Sequence, residues 1–155
     1  MKQLTRRLRI IIPALLISHI AIADDKLEID DAWIAEAPPA STVMAAYMEI
    51  ENETGQDRQA VSMQCDEFAG AGFHRTVEKD GMARMEHQQV LNIPAHSELK
   101  LEPGGYHIML FDPARHLLAG DKTNCSMKFD DGTTIGIDLE IRKSSVEDHS
   151  QHHHQ

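Results

Sequence analysis

The sequence predicts an all-β domain, and three observations lead to this prediction. Short runs of alternating apolar and polar residues recur along the chain, as they do in strands with one buried face. Glycine and proline turns separate these runs at intervals typical of a β-sandwich or barrel. Helical spacing of apolar residues is rare, and neither an internal repeat nor a second domain is evident.

A secretory leader is expected before the domain. Four basic residues precede a short apolar run at 10–17, and Ala21-Ile22-Ala23 forms a small-x-small cleavage site. The apolar run is too short for a spanning helix, and no cysteine follows the cleavage site for lipid attachment. We therefore expect residues 1–23 to be a signal peptide, cleaved after Ala23, and the mature protein to be periplasmic and without a membrane anchor.

The mature chain is strongly acidic. The leader holds four of the 15 basic residues and none of the 25 acidic ones, which leaves a formal charge of −14 on residues 24–155. This charge argues against binding to nucleic acid or to anionic membranes. It would suit attraction of cations, although solubility is the simpler explanation.

The strands follow in order from the alternating runs and their turns. We predict strands at 27–34, 43–51, 58–65, 73–78, 82–87, 98–102, 106–111, 124–130 and 133–141. Asp80-Gly81 and Asp131-Gly132 each predict a hairpin, because this dipeptide accepts the positive φ angles of a two-residue turn. One domain is expected over residues 24–142.

The last residues, 143–155, are polar and lack apolar periodicity, so they predict a disordered tail. Four of them are histidines, and a native metal-binding tract explains these better than an expression tag does. The tail histidines are His149, His152, His153 and His154.

Cys65 and Cys125 are 60 positions apart and form no CxxC motif, which argues against a thioredoxin-type redox site. Export to an oxidising compartment favours a disulfide between them over two buried thiols. Because both cysteines lie on apolar strand faces, we expect the disulfide to cross the core of the sandwich.

One predicted strand carries unusual side chains on one face. In 106–111, Ile108 and Leu110 form an apolar face, and His107 and Met109 project from the other. If Asp80 and Gly81 form the first turn, Thr76 pairs with Met85, which makes His74 and Met85 diagonal neighbours at roughly 7 Å. Two residue pairs, His74 with Met85 and His107 with Met109, therefore each present one imidazole and one thioether on one face of the sheet.

This ligand chemistry suits copper. Thioethers are soft, uncharged ligands that prefer Cu(I), and imidazole also binds copper. Zinc prefers thiolate, imidazole or carboxylate ligands. In the predicted register His87 also faces this site and is a rival ligand, whereas Met82 is either a surface residue or an auxiliary ligand. The other histidines of the predicted domain, His96 and His116, lie in loop-like segments, and four methionines are expected in the core: Met44, Met48, Met63 and Met127.

The spacing of these four residues resembles a known signature. His74, Met85, His107 and Met109 fit the H-x10-M-x21-H-x-M pattern of periplasmic copper chaperones of the PCu(A)C type. The segments "AWIAEAPPASTVMAAYMEIEN", "DGMARM" and "PGGYHIML" are similar to the family's opening motif, glycine turn and Pro-Gly-Gly-x-His-x-Met run. Arg75 stands where some members have another methionine.

The resemblance implies a cupredoxin-like Greek-key β-sandwich or barrel with a Cu(I) site formed by these four residues. It implies a chaperone, not an enzyme, that passes copper to a periplasmic or membrane acceptor such as an oxidase subunit or another copper chaperone. Some members also bind Cu(II) with a His-rich tail. We expect a monomer.

Other functions are less well supported by the residues. Storage, detoxification or scavenging of copper without a delivery partner is the main alternative. An electron-transfer cupredoxin needs a thiolate ligand beside two histidines, and no histidine closely follows Cys125. Neither a nucleophile–base constellation for an enzyme nor a distinct signature for an adhesion module is evident.

Overall fold

The computed structural model describes residues 26–143, and these are all-β as the sequence predicts. The ten strands are β1 Leu27–Ala35, β2 Val43–Asn52, β3 Arg58–Cys65, β4 Phe68–Lys79, β5 Met82–Gln88, β6 Leu91–Ile93, β7 Ser97–Leu101, β8 Tyr106–Pro113, β9 Lys122–Phe129 and β10 Thr134–Arg142. Within this range, no helix has the length and apolar character required to cross a membrane. The predicted leader and the four tail histidines lie outside the described residues.

The strands form one continuous, folded sheet in the order β5-β4-β8-β7-β2-β1-β10-β9-β3-β6. Most neighbours are antiparallel, but β1 and β10, from the two ends of the domain, run parallel, and so do β7 and β8. Strand β3 contacts β4, and β6 contacts β2 and β7, so the far end of the sheet packs back onto the near end. The sheet therefore encloses a single core, as in a sandwich or flattened barrel.

Alternation of side chains places the apolar residues of most strands inside. In β2, every second residue from Met44 to Ile50 is buried, and in β8 Ile108 and Leu110 are fully buried. The four methionines predicted to fill the core do so: Met44, Met48, Met63 and Met127. Thioether side chains adapt to irregular gaps between packed strands.

The two Asp-Gly hairpins differ in structure. Asp80 and Gly81 both have positive φ, at 56° and 73°, and Lys79 pairs with Met82, which confirms the predicted two-residue turn. At the second hairpin the amide of Phe129 donates to the carbonyl of Thr133. That loop has three residues and closes with Gly132 at positive φ, so the two-residue turn predicted there was wrong.

Two strand segments were not predicted. Strand β6 is only three residues long, and the first half of β4 contains Gly70 and Gly72, which have low strand propensity. Pairing with β8 holds that half of β4 in the sheet. Such short or glycine-rich segments depend on tertiary contacts, which local patterns do not reveal.

Cys65 and Cys125 form a disulfide. The expectation that it crosses the core was wrong, because β3 and β9 are neighbours and the two residues lie directly opposite each other in their register. The bond therefore ties adjacent strands rather than two layers.

Replacing both cysteines by alanine should lower the free energy of unfolding by roughly 2–4 kcal/mol, because the link closes a long loop in the unfolded chain. Urea denaturation of the oxidised wild type, the reduced wild type and the double variant would measure this. Reduced wild type should resemble the double variant. Three coincident curves would contradict the expectation.

Candidate metal centre

The two central strands of the candidate site are β4 and β8. In their register, His74 lies opposite His107 and Gly72 lies opposite Met109. On the other side of the same strands, Phe73 and Ile108 pair and are buried in the core. The imidazoles and the thioether therefore share the outer face of the sheet, because their neighbours occupy the inner face.

Strand β5 adds the fourth predicted residue at the edge of the sheet. The predicted hairpin register is observed: Thr76 pairs with Met85, and His74 pairs with His87. Met85 is 65% exposed and lies diagonal to His74 on the same outer face. Met82 alternates onto the opposite face of β5 and is not part of this group. We call His74, Met85, His107 and Met109 the His–Met face.

A glycine turn orients His107. Its Nδ1 lies 3.1 Å from the carbonyl oxygen of Gly105, which also accepts a hydrogen bond from the amide of Thr76. Gly104, at φ 83°, allows the tight turn that presents this carbonyl. Donation from Nδ1 leaves Nε2 of His107 with a free lone pair, the form in which a neutral imidazole binds a metal.

His74 stands between two other histidines. Its ring centroid is 5.9 Å from that of His107, nearly parallel to it, and 5.2 Å from that of His87, at a steep angle. Burial lowers the pKa of His74, and the neighbouring imidazoles of His87 and His107 lower it further. Near neutral pH His74 is therefore uncharged and able to bind a metal.

Two ring nitrogens at this site are buried and have no hydrogen-bond partner among the described residues. They are Nδ1 of His74 and Nε2 of His107. A buried polar atom without a partner costs about 1–3 kcal/mol. A bound metal ion would satisfy such atoms, so the residues present fit a soft metal held by imidazole and thioether ligands.

Gly72 is a part of the site that the sequence analysis missed. A Cβ atom at this position would lie 3.3 Å from Nε2 of His74 and 3.4 Å from Cε2 of Phe111. The missing side chain therefore makes room for the ring of His74 beside Met109. The available signal was the alternation Gly70-x-Gly72-x-His74, which places two glycines and a histidine on one strand face.

Of the three other histidines among the described residues, two lie away from the His–Met face and one lies beside it. His96 and His116 are exposed in loops, as predicted. His87 is exposed on the edge strand, next to His74. The structure thus brings His74, His87 and His107 into a row across three adjacent strands, β5, β4 and β8.

Comparisons with known proteins agree with this architecture. Residues 27–141 match the family described as "LpqE-like: Putative lipoprotein LpqE-like". The "Putative lipoprotein Lxx21020" of Leifsonia xyli subsp. xyli is 31% identical over 122 residues, covering 78% of this chain and 72% of that protein.

Two solved structures have folds similar to that of this chain. The solution structure of CuI-DR1885 from Deinococcus radiodurans is 30% identical, with a TM-score of 0.63 over 76% of this chain and 78% of that one. The copper-bound PCuAC domain from PmoF2 is 18% identical, with a TM-score of 0.66 over 77% of this chain and 94% of that one, and shows the fold alone. The predicted cupredoxin-like fold class is confirmed.

Gly72→Ala should weaken the binding of Cu(I), which is the ion that the ligand chemistry favours. We expect a loss of about tenfold in affinity, because disturbing the groups that orient a metal ligand costs at least this much. The new methyl group would push the ring of His74 out of place. Competition titration with a chromophoric Cu(I) chelator would measure the change.

Gly136→Ala is a matched control, because Gly136 also lies in a strand and a Cβ there meets no atom within 4 Å. Equal affinities of the two variants for Cu(I) would contradict the role assigned to Gly72.

Proposed function

The chain belongs to the LpqE-like family, and from the geometry of the His–Met face we propose that it is an exported copper chaperone. It binds one Cu(I) ion through His74, Met85, His107 and Met109 and passes it to a partner protein. The observation that carries this proposal is the pair of buried, unpartnered imidazole nitrogens beside two thioethers on one face of the sheet.

The choice of Cu(I) rests on charge and softness. All four side chains are neutral when the histidines are deprotonated, so an ion of low charge is held without a compensating carboxylate. His107 is only 5% exposed, and burying a doubly charged ion there would cost more than burying a singly charged one. The 30% identical protein from Deinococcus radiodurans is named for bound Cu(I), which supports this choice.

The site suits transfer because its ligands differ in exposure. Met85 projects from an edge strand into solvent, Met109 and His74 are half-buried, and His107 is buried. An incoming ligand of a partner could replace Met85 first, while the inner ligands still hold the ion. Copper then moves through ligand exchange without being released into solution.

The partner and compartment follow from the same proposal. The leader pattern and the lipoprotein names of the relatives support export, which in a Gram-negative cell means the periplasm. The acceptor is a copper centre of a periplasmic or membrane protein, such as an oxidase subunit or another chaperone. No catalytic step is assigned, and both cysteines are joined to each other, so neither supplies the thiolate of an electron-transfer site.

The tail is assigned a separate task. His149, His152, His153 and His154 would collect Cu(II) and raise the copper concentration near the His–Met face. Imidazole without thioether suits the divalent ion. The tail and the face would then bind different oxidation states.

Met109→Leu should weaken Cu(I) binding by about tenfold or more, because the exchange removes a ligating sulfur. The change conserves volume, so the fold should remain intact. Anaerobic titration of the mature protein against a competing chelator would measure the affinity, with His107→Ala as a second ligand variant.

Met63→Leu is the matched control, because Met63 is buried in the core away from the His–Met face. It should bind one Cu(I) as tightly as wild type. Tight Cu(I) binding that persists in both Met109→Leu and His107→Ala would contradict the proposed site.

Deleting residues 146–155 should reduce the number of Cu(II) ions bound and leave the affinity for Cu(I) unchanged, since the deletion removes the tail histidines only. Titrations with each ion, under air and under nitrogen, would test this. If both kinds of binding were lost together, the division of labour would be refuted.

A further inference from the structure

His87 is not one of the four residues of the His–Met face, yet it directly faces His74 across β4 and β5. We propose that His74 and His87 form a second metal-binding pair, which holds divalent copper at the edge of the sheet. The inference rests on the proposed function only in that the Cu(I) site shares His74.

The distances allow such a pair. A ring nitrogen binds a transition-metal ion such as zinc at about 2.0–2.1 Å, so two imidazoles on one ion can place their centroids up to roughly 6 Å apart. The His74–His87 centroids are 5.2 Å apart, closer than the 5.9 Å of the His74–His107 pair. The outer pair therefore meets the same geometric condition as the inner one.

The surroundings of the two pairs favour different ions. The inner pair includes the buried His107 and lies beside Met109, which suits a soft ion of low charge. His87 is exposed on an edge strand, where water can complete the coordination shell of a doubly charged ion. Among divalent first-row metals, copper binds such nitrogen ligands most tightly.

Both nitrogens of His87 are available for this role. No hydrogen bond or ion pair of His87 exists among residues 26–143, and its one described ring contact is with His74. His74 in turn has a buried Nδ1 atom without a partner. The two pairs share one imidazole, so an ion on the outer pair and an ion on the inner pair compete for His74.

The test uses the mature full-length chain in which His149, His152, His153 and His154 are replaced by glutamine, so that the tail adds no Cu(II) site. In this background, His87→Gln should weaken Cu(II) binding by about tenfold or more. Removing a ligand should lower the affinity for the metal at least as much as disturbing the orientation of a ligand does. His87→Gln should also remove one nitrogen coupling from the electron paramagnetic resonance spectrum. His116→Gln, a change at another exposed histidine, should do neither.

Cu(I) titration of the same variants separates this inference from the proposed function. His87→Gln should retain Cu(I) affinity, whereas His74→Gln should lose affinity for both ions. Equal Cu(II) affinities of His87→Gln and His116→Gln would overturn the inference, and so would an equal loss of both ions in His87→Gln. Failure of the background protein to bind Cu(I) would refute only the chaperone proposal, because the Cu(II) pair would still be measurable.

Discussion

The register between β4 and β8 is the constraint on which the site depends. It places His74 opposite His107 on the outer face and Phe73 opposite Ile108 on the inner face. A slip of one residue would expose the apolar partners and bury the polar ones. Burying a Phe or Ile side chain is worth about 1.5–3 kcal/mol, so packing of the core also fixes the geometry of the ligands.

The edge position of β5 shows how the proposed site could both hold and release an ion. An edge strand has one neighbour, and every residue of β5 except Gln88 is exposed. The buried end of the histidine row is at His107, and the exposed end is at His87. A side chain of β5 can move without disturbing the core, whereas packing fixes the positions of the proposed ligands on β4 and β8.

The hairpin register could be predicted because Asp80-Gly81 restricts the chain locally, and counting outward from that turn placed Met85 and His87 relative to His74. The four core methionines followed from alternation alone. The same dipeptide at Asp131-Gly132 closed a longer loop, since the pairing of Phe129 with Thr133 overrides the local preference. The alternation Gly70-x-Gly72-x-His74 was visible in the sequence, but the approach of Phe111 to Gly72 and the neighbouring positions of the cysteines could not be predicted, because both depend on which distant strands become neighbours.

The disulfide and the proposed thioether ligands both fit an oxidising compartment, the kind that the proposed export implies. In an oxidising compartment a pair of nearby thiols becomes a disulfide, as Cys65 and Cys125 have done. A copper site built on thiolates would face the same loss of its ligands. Thioethers cannot form disulfides, so in the proposed site Met85 and Met109 would provide soft sulfur ligands that survive there. A thioether can, however, be oxidised to a sulfoxide, which makes the side chain polar. Met85 at the exposed edge is more open to this reaction than the half-buried Met109. In the proposed site, exposure would thus make Met85 both the first ligand to exchange and the first to be oxidised.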